Sequence, residues 1–360
     1  MSLPVPAEDP AHELSDVVDR PVLRVAGPSE IVQLVPYILG FHPDDSLVLI
    51  ALRGRRVVAS ARNDIDAPLE MITPWCTAAT RAGADSVVAA LYIDDVSGQP
   101  LPRLSYVADL VGVFQAHDLS IVDVLAVSDG RWWSYQCSEP ACCPPDGTPI
   151  DHAGAIAASA VSEGLVALRT REDLRNELAI DTLAVNLVAA EVEARAMGLD
   201  GTREDPVAER QWRAQAWKVV RQFVKRAGTT SAISPAVAAD VLAALTDKHV
   251  RDATLGYLVN RPDPAVRDAW RRLATIAPES LRGAPATLYA MWCYASGEGA
   301  RSNVGVDVAL AADPDYTMAH LLLELQMTGL NPFEVVHDMG REAAKVGRRI
   351  QRQRRPIPLR

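Results

Sequence analysis

The chain has 360 residues, a formal net charge of −10, and 49% hydrophobic against 23% charged residues. This is an ordinary globular balance that excludes wholesale disorder, while the acidic excess excludes general affinity for nucleic acid. No apolar run reaches the roughly 18 to 20 residues that span a bilayer, and Met1 to Pro10 lacks the basic-then-apolar order of an export signal. The expectation is a cytoplasmic protein without a transmembrane segment. Cys76, Cys137, Cys142, Cys143 and Cys293 are odd in number and too clustered for a disulfide framework, which fits a reducing compartment.

The length predicts two domains. Residues 1–20 mix Pro, Asp and Glu without periodicity and read as a flexible leader. An α/β domain is expected over 21–150. Val22 to Val25 is β-prone, Gly27-Pro28-Ser29 breaks it, Ser29 can cap a helix from Glu30 to Leu39, and Gly40 ends that helix. Ser46–Leu52 and Arg56–Arg62 are β-branched runs joined by Arg53-Gly54-Arg55, the pattern of a hairpin. Helix 69–82, strand 86–93, helix 101–116 and strand 121–127 then alternate as parallel βαβ units do, predicting a mixed, mostly parallel sheet. Asp129-Gly130 turns the chain into Arg131 to Tyr135, an antiparallel edge hairpin.

Beyond Pro149 no strand is expected, and residues 151–335 read as an all-helical domain. Asp205-Pro206, Ser234-Pro235, Asp263-Pro264 and Asn331-Pro332 each place a capping residue before a Pro whose missing N–H costs nothing in a first turn. Leu174, Leu178, Leu183, Leu187 and Val188 recur at helical spacing. Near 285–330, Ala309-Leu310 followed by Asp313-Pro314-Asp315-Tyr316 suggests a repeat-like helical hairpin. Residues 336–360 read as an Arg-rich tail, with eight basic residues against Glu342 alone from Arg341 onward.

Three groups of residues together resemble one family. They are Val35 to Val48, with the run Gly40-Phe41-His42-Pro43-Asp44-Asp45-Ser46 at its centre; Gly130-Arg131-Trp132-Trp133-Ser134-Tyr135 with Cys142-Cys143-Pro144; and Arg251-Asp252 with Asp313-Pro314-Asp315-Tyr316. The chain resembles the actinobacterial domain of unknown function numbered 4192 over roughly Pro21 to Pro332. The resemblance implies a cytosolic protein of high-GC Gram-positive bacteria. It assigns no catalytic residue, ligand or cofactor.

Loop acids are the main candidates for chemistry. In a hairpin of 46–52 with 56–62, Asp44 and Asp45 approach Asp64 at one sheet end. A crossover that lays strand 86–93 parallel beside the second hairpin strand would add Asp94 and Asp95, with His42 and Arg62 as neighbours. Clustered carboxylates there would suit Mg²⁺-assisted phosphoryl chemistry; the alternative is that loop Asp residues cap and solvate turns. Cys137, Cys142, Cys143 and His152 invite zinc, but zinc sites usually separate paired Cys by two to four residues. Adjacent Cys142 and Cys143 should project apart, so a buried pair is expected and no metal. Arg131 is a possible cation beside a reactive thiol. Trp132 and Trp133 occupy opposite strand faces, so at most one enters the core.

There is no Walker-type loop, Gly-x-Gly-x-x-Gly, Gly-x-Ser-x-Gly or His-Glu-x-x-His. The sequence therefore favours a non-enzymatic interaction or regulatory protein with a protein partner and no cofactor, and the alternative is a Mg²⁺-assisted hydrolase or nuclease at the acidic edge. For the basic tail, weak salt-sensitive contact with nucleic acid or anionic lipid is the functional expectation, against a solvated terminus.

Overall fold

A computed structural model describes residues 27–94, 96, 101–152, 154–162, 165–196, 205–229, 232–259, 262–328, 330 and 332–352. The expected strand at Val22 to Val25 lies outside these residues, as do Asp95 and the last eight residues.

The N-terminal part is built on a six-stranded sheet: β1 Ser46–Arg53, β2 Arg56–Asp64, β3 Ser86–Tyr92, β4 Ser120–Ser128, β5 Arg131–Ser134 and β6 Thr148–Pro149, in the order β2-β1-β3-β4-β5-β6. Only β3 and β4 pair in parallel; the other four pairings are antiparallel. The sheet is mixed but mostly antiparallel, which corrects the expectation of a mostly parallel one. The cause is the place of β3. It inserts beside β1, with Tyr92 opposite Ser46, and not beside β2 as the crossover argument required. β1 is apolar from Leu47 to Leu52 and buried from Ser46 to Leu52, as a strand flanked on both sides must be, while β2, the edge strand, is only half-buried or exposed along its whole length.

Helix α1 is Pro28–Leu39, α2 is Thr73–Arg81 and α3 is Leu104–Ala116. α2 and α3 cover one face of the sheet, where Ile72, Cys76, Val107, Leu110 and Phe114 pack on Leu47, Leu49, Val87, Ala89 and Leu91. α1 serves the other face, with Val48, Ile50, Val88, Ala90, Leu125 and Val127. Gly27, not Ser29, caps α1, and Gly40 at φ 79° ends it in the left-handed conformation that glycine adopts without penalty.

From residue 155 onward the α- and β-elements formed by the described residues are all helices: α4 Ala155–Ser162, α5 Arg171–Asn176, α6 Thr182–Ala196, α7 Pro206–Lys225, α8 Pro235–Leu245, α9 Lys248–Ala253, α10 Pro264–Ile276, α11 Glu279–Ala295, α12 Gly299–Ala312, α13 Thr317–Met327 and α14 Pro332–Arg352. Asp205, Ser234 and Asp263 cap α7, α8 and α10 by accepting backbone N–H bonds, with Pro in each first turn. α12 and α13 form the hairpin expected around Asp313 to Tyr316. α11 is buried on all sides, from Gly283 to Ala295. Of the residues expected to face inward near α6, Leu174, Leu178 and Val188 are buried, whereas Leu183 and Leu187 are exposed.

The cores of the two parts are continuous. The α1 face of the sheet belongs to the same apolar cluster as Trp217, Trp270 and Trp292 of the helical part. One β-bridge joins Phe41 to Leu168, the single sheet-like pairing made by the described residues after 150. The segment expected as a tail is, through Arg352, helix α14. It buries Val336, Ala343 and Ile350, seats Gly347 against the Trp217 ring and leaves Arg348, Arg349 and Arg352 exposed. No helix of the described residues is long and apolar enough to cross a membrane.

Candidate functional site

Where α1 ends, the turn at Gly40 directs the chain over the ends of β1, β3 and β4. His42 N–H donates to Leu168 O at 3.0 Å and Leu168 N–H to Gly40 O at 2.8 Å, fixing the loop on the helical part. Pro43, Asp44 and Asp45 follow, Asp45 in left-handed backbone at φ 44°. The buried Ser46 hydroxyl donates to Asp44 O at 2.5 Å and accepts from Arg62 Nε at 2.7 Å. Arg62 also forms an ion pair with Asp64.

The register sets Ser46 opposite both Asp64 and Tyr92, so Asp44, Asp45, Asp64 and Asp94 share one end of the sheet. The acidic edge thus exists, although antiparallel pairing of β3 with β1 produces it. At the same end Asp129 and Gly130, both at positive φ, make the tight turn between β4 and β5. Pairing of β6 with β5 then brings His152 back across from His42, with ring centroids 6.0 Å apart and the ring planes at 62°.

A cleft of about 250 Å³ results, at the carboxyl ends of the parallel pair β3 and β4, where open α/β sheets bind ligands. Its polar lining includes His42, Asp44, Asp94, Ser128, Asp129 and His152, closed on the α1 side by Val32 and Pro36. No Lys or Arg belongs to the lining among the described residues. Arg62, expected beside His42, is instead turned onto Ser46 and Asp64. His42 is exposed at the rim, yet the walls remove part of its hydration and His152 faces it; both effects hold its pKa below the usual value.

Tyr92 lines the same cleft. Its hydroxyl is buried with no hydrogen-bond partner among the described residues, and burial pushes its pKa strongly up. Nothing in the sequence singles out Tyr92 or Asp129 as a site residue. Tyr92 is the polar-tipped residue that ends an apolar strand, and Asp129 could be read only as a turn residue.

The thiols occupy a separate loop, between β5 and β6. Cys142 and Cys143 do not project apart: with Cys137 they bring their sulfurs within 4.8 Å of one another, and no other trio of His, Cys, Asp or Glu among the described residues converges so closely. The chain folds back here in a helical turn, with both Cys142 N–H and Cys143 N–H donating to Glu139 O at 3.0 and 2.7 Å, and this turn overrides the divergence expected of adjacent residues. Nor are they a buried pair, since Cys142 is exposed and Cys137 and Cys143 are half-buried. Hydrogen bonding from Cys143 lowers the Cys137 pKa, whereas burial pushes that of Cys143 up to about 12. Arg131 is occupied by the carbonyls of Asp146 and Gly147. His152 is on the cleft and is not part of the trio.

The family model for a domain of unknown function, DUF4192, matches residues 28–333. The chain belongs to this family. Neither a curated protein nor a solved structure matches the chain. The matched range runs from α1 through α13 and so includes the sheet, the cleft residues and the thiol loop, and it ends as α14 begins.

Proposed function

We propose that this member of the DUF4192 family is a non-enzymatic binding and regulatory protein of the cytosol. Its cleft seats a small ligand bearing positive charge or hydrogen-bond donors, and its helical part offers the surface for a protein partner. The observation that carries this reading is Tyr92, which lines the cleft and whose buried hydroxyl has no hydrogen-bond partner among the described residues. An unsatisfied buried hydroxyl costs about 1–3 kcal/mol, so a fold that retains one at a concave polar site has a use for it when a ligand supplies the missing bond. The charge of the lining selects the ligand class. Asp44, Asp94 and Asp129 surround the cleft and no Lys or Arg joins them among the described residues, which disfavours phosphates and carboxylates and favours amines and polyols.

The alternative, Mg²⁺-assisted hydrolysis at the acidic edge, requires several oxygen ligands about 2.0–2.1 Å from one ion. Among the described residues no three of His42, Asp44, Asp45, Asp64 and Asp94 offer ligand atoms within 4.8 Å of one another, which favours the binding reading. The exposed arginines of α14 add a weak, salt-sensitive contact with nucleic acid or anionic lipid.

The test is a thermal-shift and calorimetric panel of small amines and polyols against phosphates and carboxylates. The expected result is a response to the first set, lost in Asp94→Asn and His152→Gln. A response to phosphates alone, or Mg²⁺-dependent hydrolysis of phosphodiesters abolished by Asp94→Asn, would overturn the proposal.

A further inference from the structure

The loop between β5 and β6 is anchored at both of its ends although it is short of regular structure. Ser134 Oγ donates to the buried carboxylate of Asp123 at 2.7 Å and accepts from the N–H groups of Gln136 and Cys137 at 3.0 and 2.9 Å, which fixes the first thiol to the end of β5. At the far side Trp133 Nε1 donates to Pro145 O at 3.0 Å. The Trp133 ring lies so close over Gly147 that a Cβ there would meet it at 2.4 Å. Arg131 ties down the carbonyls of Asp146 and Gly147. Between these anchors the turn on Glu139 O presents Cys142 and Cys143 toward Cys137.

We propose that Cys137, Cys142 and Cys143 form a three-sulfur site for a thiophilic d¹⁰ cation, zinc, with the fourth coordination position open to solvent. Tetrahedral Zn²⁺ with bonds of roughly 2.3 Å sets its sulfurs about 3.8 Å apart, so thiols already within 4.8 Å need to close only slightly. Thiolate sulfur is the donor that selects zinc over the hard cations, which take oxygen. Cys142 is exposed, which gives the ion a path in from water and leaves the fourth corner on the solvent side. The site is independent of the cleft: its ligands belong to a different loop, and none of them lines the cavity.

The test uses the full reduced chain. Titration with Co²⁺ should produce a thiolate-to-cobalt charge-transfer band that saturates at one equivalent and is displaced by one equivalent of zinc. A thiol-reactive dye should label Cys137, Cys142 and Cys143 but not the buried Cys76 and Cys293, and zinc should protect those three. Cys142→Ser, at an exposed position that the fold does not depend on, should weaken zinc at least tenfold, and Cys137→Ser likewise. Absence of the band at excess cobalt, thiol labelling unchanged by zinc, or binding that survives both substitutions would overturn the proposal. So would a chain that takes no zinc but readily forms a disulfide from Cys137 to Cys142 or Cys143, because the cluster would then be a redox device.

Discussion

Arg301 on α12 grips Glu177, just past the end of α5, with two parallel bonds: Nη2 to Oε1 at 2.9 Å and Nε to Oε2 at 3.0 Å. Arg301 also reaches Glu298, which pairs in turn with Arg267 of α10, so three helical segments share one partly buried ionic network. Planar two-point recognition of this kind needs a guanidinium. Arg301→Lys should cost about 1–2 kcal/mol and Arg301→Ala about 2–3 kcal/mol, the values for bonds to charged groups with a partner left behind. Chemical denaturation of both variants checks this; equal stabilities of wild type and Arg301→Ala would show the network to be idle.

Tyr92→Phe separates stability from binding. Removing an unpartnered buried hydroxyl relieves its desolvation cost, so the free protein should gain about 1 kcal/mol. The same substitution should weaken any ligand of the cleft several-fold. A loss of stability in Tyr92→Phe would mean that the hydroxyl has a partner in solution.

His42 makes stability depend on pH in a defined direction. Its folded-state pKa is below the unfolded value of 6.5, first through desolvation and then through His152. As pH falls past the unfolded value the unfolded chain takes up its proton first, so stability is full above about 6.5 and declines below it. Asp44, Asp94 and Asp129 also line the cleft but are exposed to water. In His42→Gln the slope of unfolding free energy against pH between about 5 and 6.5 should become shallower, read from urea midpoints at several pH values. An unchanged slope would remove His42 as a source of this dependence.

Close backbone approach fixes α14. A Cβ added to Gly256 would come 2.9 Å from both the N and Cα of Ala344, atoms that cannot swing aside. Gly256→Ala should therefore cost about 1–3 kcal/mol and speed proteolysis within 332–352. Gly228→Ala is the control, since its Cβ would meet only the Ala265 Cβ at an ordinary 3.6 Å.

Local features of this fold were legible because local geometry determines them. Asp205, Ser234 and Asp263 before Pro mark helix starts wherever the helix packs, and Gly54 marks a hairpin whatever lies beside it. Strand order is not local. Alternation of helix and strand from 69 to 127 suggested parallel neighbours, yet β1, apolar on both faces, demanded a partner on each side, and β3 took the free one. The acidic edge does not depend on that order, because Asp94 follows β3 in the same direction whether the strand neighbours β1 or β2. The convergence of the thiols is not legible for a related reason: spacing along an extended chain says nothing about a turn that folds Cys142 and Cys143 back onto Cys137. The cleft was half visible. His42, Asp44 and Asp94 could be named, whereas His152 reached it only through β6, a two-residue strand with no sequence signature.

The continuity of the core has a consequence for how the protein is made. Synthesis delivers α1 and all six strands before any of α7 to α13 leaves the ribosome, yet Ile31, Val35, Val48, Ile50 and Val88 share their apolar cluster with Trp217, Trp270 and Trp292. The nascent sheet can cover its α2–α3 face at once, but the opposite face has only α1 until later helices arrive. Even the Phe41 to Leu168 bridge, which steadies the His42 loop, waits until residue 168 is made. During that interval an apolar surface is open to the cell, the condition in which nascent chains engage chaperones or associate wrongly. A fragment ending near residue 150 keeps that surface permanently, and should aggregate where the full chain does not.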